Sequence, residues 1–147
     1  MLTCTFENGT NTSLRHVTVD AIVVRDEKVL LIKRAEGMLE GGKWALCGGY
    51  VERDETLREA LAREVLEESG YKIKNIKLLT VRDNPDRPHE DRQNISFVFS
   101  CEVAEKIGEP DEEVSALRWF ELSQLPEDNQ IAFDHKDNLE LFKENSF

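Results

Sequence analysis

Three glutamates, Glu64, Glu67 and Glu68, crowd into five positions of the run GGYVERDETLREALAREVLEESGY that spans residues 48–71. On a helix, residues three and four apart share a side, so Glu64 stands beside both Glu67 and Glu68. Three carboxylates this close repel one another, and at neutral pH something must compensate them. Their angular placement argues against a solvated acidic face. At about 100° per residue, with Leu57 at zero, Leu61, Val65 and Ala60 fall near 40°, 80° and 300°. Glu68, Glu64 and Glu67 fall at about 20°, 340° and 280°, overlapping that apolar stripe. Carboxylates drawn toward a core need partners, because unpaired they are costly to bury. From Glu52 to Glu68 there are seven acids against three arginines. A negative focus of that kind suits divalent cations with oxygen ligands, magnesium first and manganese as the alternative.

The elements that must hold these acids are legible from patterning. Thr56 with Glu59 forms a capping box, so the helix starts there, and Gly70 ends it. Residues 15–25 alternate and then run apolar as a half-buried strand, Asp26-Glu27-Lys28 turns, and Val29 to Lys33 return as its hairpin partner. A glycine-rich loop, 37–43, precedes a short strand from Trp44 to Val51, broken at Gly48-Gly49 where close backbone approach or positive φ is needed. Ile73–Val81, Ile95–Val103 and Val114–Phe120 read as further strands, Leu122–Leu125 as a turn of helix, and Phe133–Phe142 as a last helix. Strands on both sides of a long helix imply an α/β fold, a mixed β-sheet sandwiched between helices. The hairpins exclude a purely parallel sheet.

The chain has 147 residues, 39% hydrophobic and 33% charged, the size and composition of one globular domain over residues 1–147. No apolar run is long enough for a membrane span, and the N-terminus lacks the regions of a signal peptide. Cys4, Cys47 and Cys101 are odd in number and widely spaced, which fits a cytoplasmic location better than a disulfide framework or a zinc site. A net charge of −11 argues against nucleic-acid partners. A small phosphorylated molecule remains compatible if cations bridge the two negative partners. His16, His89 and His135 show no ligand spacing and read as surface or structural. Trp44 and Trp119 read as core, and Cys47 as a small apolar filler.

The order Gly49, Glu55, Arg63-Glu64-Val65, Glu67-Glu68, Gly70-Tyr71 resembles the Nudix box over residues 49–71, with every charged and glycine position filled. Tyr71 stands where that pattern expects an aliphatic residue, and Cys47, in the lead-in Trp44-Ala45-Leu46-Cys47-Gly48-Gly49, where proline is usual. Arg118-Trp119-Phe120 and Leu125-Pro126 also resemble the family's later strand and turn, so the likeness covers most of the chain. The resemblance implies a Nudix-type α/β/α sandwich that hydrolyses a nucleoside diphosphate linked to another group. It implies metal ligation by Glu64, Glu67, Glu68 and the backbone carbonyl of Gly48, with Arg63 orienting the carboxylates and Glu55 at the helix start supporting them. By spacing, Glu67 is the natural partner of Arg63. Glu112 and Glu113 are candidates for a base or extra ligand supplied from outside the box. Arg34 and Arg82 are candidate phosphate clamps. The acids titrate together, so sequence leaves the identity of the base open.

The leaving group is read from downstream. Pro85 and Pro88 lie fourteen and seventeen residues past Tyr71, and Asn84-Pro85-Asp86-Arg87-Pro88 looks like the loop of the ADP-ribose pyrophosphatase group. Ile131-Ala132-Phe133-Asp134-His135 is similar to a tail in the same group. The resemblance therefore favours ADP-ribose, cleaved to AMP and ribose 5-phosphate. The alternatives are an oxidised or ordinary nucleoside triphosphate cut to the monophosphate, and a sensor that binds an ADP-ribose-like ligand without cleaving it. A sensor usually carries a DNA-binding module; the end at Phe147 and the intact box weigh toward the enzyme. Many members are dimers, so a homodimer is admitted, although no stretch of the sequence marks an interface.

Overall fold

A single charged residue interrupts the apolar run Val17–Arg25, and the strand formed there is the axis of the molecule. The computed structural model describes residues 2–89 and 93–145. Among the described residues the order is β1 (Leu2–Thr5), β2 (Asn11–Leu14), β3 (Val17–Arg25), β4 (Lys28–Arg34), β5 (Trp44–Ala45), β6 (Cys47–Tyr50), α1 (Leu57–Ser69), β7 (Tyr71–Arg82), β8 (Ile95–Lys106), β9 (Val114–Glu121) and α2 (His135–Asn145). The first two strands form a separate hairpin that the sequence reading did not anticipate. The other seven make one mixed sheet. β3 runs parallel to β8 from Val17↔Ile95 to Val24↔Glu102, while the remaining pairs are antiparallel. β4 leaves β3 after Val24↔Val29 and continues against β5 and β9, and β6 takes the vacated edge of β3 from Thr18↔Tyr50 to Ala21↔Cys47. The site opens where the strands part in this way.

Alternation along β3 divides the core into two layers. Val19, Ala21 and Val23 pack with Ala60, Leu61 and Val65 of α1. Ile22 packs with Leu139 of α2, on the other face. A helix on each face of a mixed sheet is the α/β/α sandwich that the patterning implied. The β3–β4 turn is a tight two-residue hairpin with Asp26 and Glu27 at φ 50° and 60°. Several boundaries differ from the sequence reading. The strand that starts at Trp44 breaks at Leu46 and not at Gly48-Gly49, which lie inside β6 without positive φ; β7 and β8 run longer than expected, to Arg82 and Lys106. Leu122–Leu125 is a turn closed by Gln124 N–H onto Glu121 O and not a helix; a 3₁₀ turn lies later, at Asp128–Gln130. The last helix starts at His135, because Phe133 has φ 53°, which no helical residue adopts. No helix among the described residues is long and apolar enough to cross a membrane.

Candidate active site

Helix α1 presents its acids in the order that their angles to the apolar stripe foretell. Thr56 caps it reciprocally with Glu59, and Gly70 closes it in the left-handed conformation at φ 73°. Glu68, nearest the stripe, is 4% exposed; Glu64 keeps 14% of its side chain exposed and Glu67 49%. Burial pushes the Glu68 carboxyl well above the usual carboxylate range, the Gly48 N–H working against it and neighbouring Glu64 with it. Glu64 is also raised, by burial first, with Arg63 opposing and Glu67 and Glu113 adding to the effect. Both groups therefore favour a proton or a cation over a bare charge.

Arg63 compensates Glu64, but not Glu68, in the arrangement seen here. Its Nε and one terminal nitrogen fork onto Glu55 at 3.0 and 2.6 Å, and the other nitrogen reaches Glu64 at 2.7 Å and Glu67 at 3.2 Å. The Glu67 contact foreseen from spacing exists, but Glu55 is the closer, two-pronged partner. That fork lowers the Glu55 carboxyl, and Glu55 together with Glu64 holds the guanidinium charged. A fifth bond, to Tyr50 O at 3.0 Å, ties the helix to the end of β6.

Two glycine contacts complete the frame. A Cβ on Gly49 would lie 2.5–2.7 Å from the Glu64 carboxylate, so any side chain there would displace it. The Gly48 N–H donates to Glu68 Oε2 at 2.9 Å, placing β6 directly against the buried acid. At the other end of α1, Gly70 O accepts from Ile107 N and Gly108 N, and Asp111 N–H donates to Glu67 O at 2.9 Å. The segment after β8 is thereby laid against the helix. It brings Asp111 and Glu113 to the cleft, whereas Glu112 does not line it.

The cleft, about 460 Å³, continues past the acids to a second polar group. Asp20 is the charged residue inside β3, buried beside His135 and the Ser96 hydroxyl, which donates to its Oδ2. His135 Nδ1 accepts the Leu46 N–H at 3.0 Å, which puts the ring proton on Nε2, 3.3 Å from Asp20 Oδ1. Burial raises the Asp20 carboxyl, but contacts with His135, Arg87 and Ser96 outweigh it and hold it at about 2. Arg87 clamps Asp134 Oδ1 at 2.7 and 2.8 Å and lies 5.0 Å from the centre of the Phe133 ring; Arg34 lies 5.3 Å from the same centre. Of the two arginines proposed from sequence, Arg34 lines the cleft and Arg82 does not: its Nε donates to Asn138 Oδ1 of α2 at 2.7 Å. The arginine that reaches the cleft from the downstream loop is Arg87, five residues on. Asp20, Asp111 and Arg87 escaped the sequence reading, although a lone acid in an apolar strand is a signal for the first.

Among the described residues no three acidic, histidine or cysteine side chains form a ready-made metal cage. Arg63 stands among Glu55, Glu64 and Glu67, and Glu68 is turned onto the Gly48 amide. The donor set still fits a hard divalent cation, since the buried Glu68 and the half-buried Glu64 carry raised proton affinity and the third, Glu67, is half exposed. The family pattern described as NUDIX domain matches residues 14–142. An ADP-ribose pyrophosphatase of Methanocaldococcus jannaschii is 39% identical over 120 residues, covering 82% of this chain and 68% of that protein. An NAD-capped RNA hydrolase NudC of Photorhabdus laumondii is 35% identical over 102 residues, of which this chain spans only 37% of the length. The crystal structure of a MutT NUDIX hydrolase from Burkholderia pseudomallei superposes with a TM-score of 0.76 at 30% identity, covering 88% of this chain and 98% of that one. With fold, box and matched span in agreement, the chain belongs to the NUDIX family, as a pyrophosphohydrolase.

Proposed function

We propose that this chain hydrolyses ADP-ribose to AMP and ribose 5-phosphate, with magnesium or manganese bound by Glu64, Glu67, Glu68 and the backbone carbonyl of Gly48, and with residues 1–147 working as one domain. The observation that carries the reading is the buried Glu68 and the half-buried Glu64 lining one cleft together with Arg34, Arg63 and Arg87. When bound, the cation would supply charge neutralisation of the diphosphate and a water of lowered pKa. Arg63 orients Glu55, Glu64 and Glu67 through its fork. Arg34, at the cleft wall, is placed to hold a phosphate oxygen. Glu113, which lines the cleft with Asp111 and whose charge acts on Glu64, is the candidate to accept a proton from the attacking water. Among substrates, ADP-ribose is favoured by the relative at 39% identity that bears that activity in its name. The nucleoside triphosphate reading draws support from the MutT likeness at 30% identity.

Turnover measured with Mg²⁺ across ADP-ribose, NADH, diadenosine tetraphosphate and nucleoside triphosphates tests the reading. ADP-ribose is expected to give the highest kcat/KM, and Glu67→Gln and Glu68→Gln to lower it by about a hundredfold or more. Wild-type rates in both variants would refute the ligand assignment. Binding of ADP-ribose without turnover would convert the enzyme reading for this substrate into the sensor reading.

A further inference from the structure

Among the described residues β6 pairs with β3 alone, so its outer edge is held by no other strand. Val51 N–H donates to Val17 O, which fixes the alternation along the strand. Gly49 and Cys47 turn their backbone groups onto β3, while Tyr50 and Gly48 turn theirs outward. Three side chains hold that outward edge. Tyr50 O accepts from Arg63 at 3.0 Å, Gly48 N–H donates to Glu68 at 2.9 Å, and Leu46 N–H, just before β6, donates to His135 Nδ1 at 3.0 Å. The N–H and C=O of one strand residue point the same way, so the Gly48 carbonyl leaves β3 on the edge that meets Glu68.

Gly48 cannot be anchored through a side chain. A Cβ there would lie 2.1 Å from Val19 O and 2.9 Å from Asp20 Oδ1, so only glycine lets β6 approach β3 this closely. Its carbonyl is therefore aimed by the bonds on either side, to Arg63 two residues on and to His135 two residues back. His135 arrives from the far end of the chain. Ile131 bridges Trp44 in parallel and Ala132 N–H donates to Trp44 O at 2.8 Å, which lays this segment beside β5. The His135 ring, 3% exposed at the start of α2, then carries the contact on to Leu46. Asp20, opposite Gly48 on β3, holds the ring from its far side, with Oδ1 3.3 Å from Nε2. Both ring nitrogens are engaged, so the histidine is not itself a ligand. We propose that His135 is a positioning residue for the metal site: by holding Leu46 N–H it fixes the β6 edge and aims the Gly48 carbonyl beside Glu68. This rests on the reading of that carbonyl as a metal ligand.

Two variants each keep one of the ring's contacts. In His135→Asn the side-chain oxygen stands where Nδ1 stood, one bond from Cγ, and still accepts from Leu46. In His135→Gln the longer amide reaches Asp20 and not Leu46. Mn²⁺ binding to the nucleotide-free protein is read from the electron paramagnetic resonance signal of the free ion. Affinity should stay close to wild type in the Asn variant and weaken by about tenfold in the Gln variant. Amide exchange in the metal-free protein should quicken at Leu46 and Gly48 in the Gln variant only. A merely structural histidine would lower the melting temperature in both variants without separating their Mn²⁺ affinities. Equal affinities, or tighter binding by the Gln variant, overturn the proposal. Glu68→Gln tests the underlying reading separately: if it binds Mn²⁺ as wild type does, the ligand assignment fails and the proposal falls with it. If Glu68→Gln binds weakly and His135→Gln does not, only the role of His135 is lost. Should a His135 variant not fold, wild type decides, because coupling between two sites is reciprocal. Saturating Mg²⁺ is then expected to slow exchange of the Leu46 amide by at least about fivefold while the β1–β2 hairpin keeps its rates. An unaffected Leu46 overturns the proposal.

Discussion

Arg63 shows how much of this site depends on the shape of one side chain. A guanidinium offers five donors in a rigid plane, and here they serve Glu55, Glu64, Glu67 and a backbone carbonyl at once. An ammonium cannot reproduce that fork. Arg63→Lys should keep the charge and still lower kcat by about 10- to 100-fold, with KM for the nucleotide much less affected, as steady-state kinetics at saturating Mg²⁺ would show. A variant with unimpaired kcat would mean that charge alone is what Arg63 contributes. The Glu67 contact follows from a four-residue spacing and was visible in the sequence. The Glu55 fork was not, because Glu55 lies before the helix and reaches Arg63 only through the turn that Glu52 N–H ties to it at 2.8 Å.

Helix α1 is an element whose ends are coded locally. The capping box at Thr56 and Glu59 and the left-handed Gly70 need only neighbours in sequence, and both ends formed where the sequence reading placed them. Gly70 has a second duty that no local rule reveals. A Cβ there would lie 2.0 Å from the Gly108 carbonyl oxygen, at the contact that lays the Glu109–Glu113 segment along the helix. Gly70→Ala should therefore cost more than the roughly 1 kcal/mol of a left-handed alanine. Urea melts would record the loss, and faster amide exchange at Ile107, Gly108 and Asp111 would show the segment lifting away. A penalty no larger than the backbone value would mean that the segment adjusts freely. The start of α2 was misplaced for the complementary reason: Phe133 is apolar and in helical phase, yet its backbone is held at φ 53° where its ring meets Arg34 and Arg87.

At the scale of the whole molecule, Asp20 joins strand β3, strand β8 through Ser96, and helix α2 through His135. Its carboxyl is held at about 2 against an ordinary 3.8. A depressed acid adds stability that is complete above the unfolded pKa and is lost as pH falls through the folded one. Wild type should thus lose about 2 kcal/mol between pH 4 and pH 2 from this group. Asp20→Asn should be less stable at neutral pH and flatter over that interval, read from denaturant midpoints along a pH series. Equal slopes for the two proteins would remove Asp20 from the acid response. The sequence by itself determined the box helix, its caps, the sandwich class and the family, because each rests on local spacing within elements and on their order along the chain. Only the tertiary structure decided that Arg82 ties down α2 while Arg87 enters the cleft, and that Asp20, Thr18 and His135 meet there. Those residues are brought together by the divergence of β4 from β3 and by the parallel pairing of β3 with β8, and pairing between distant strands leaves no mark in the spacing of either.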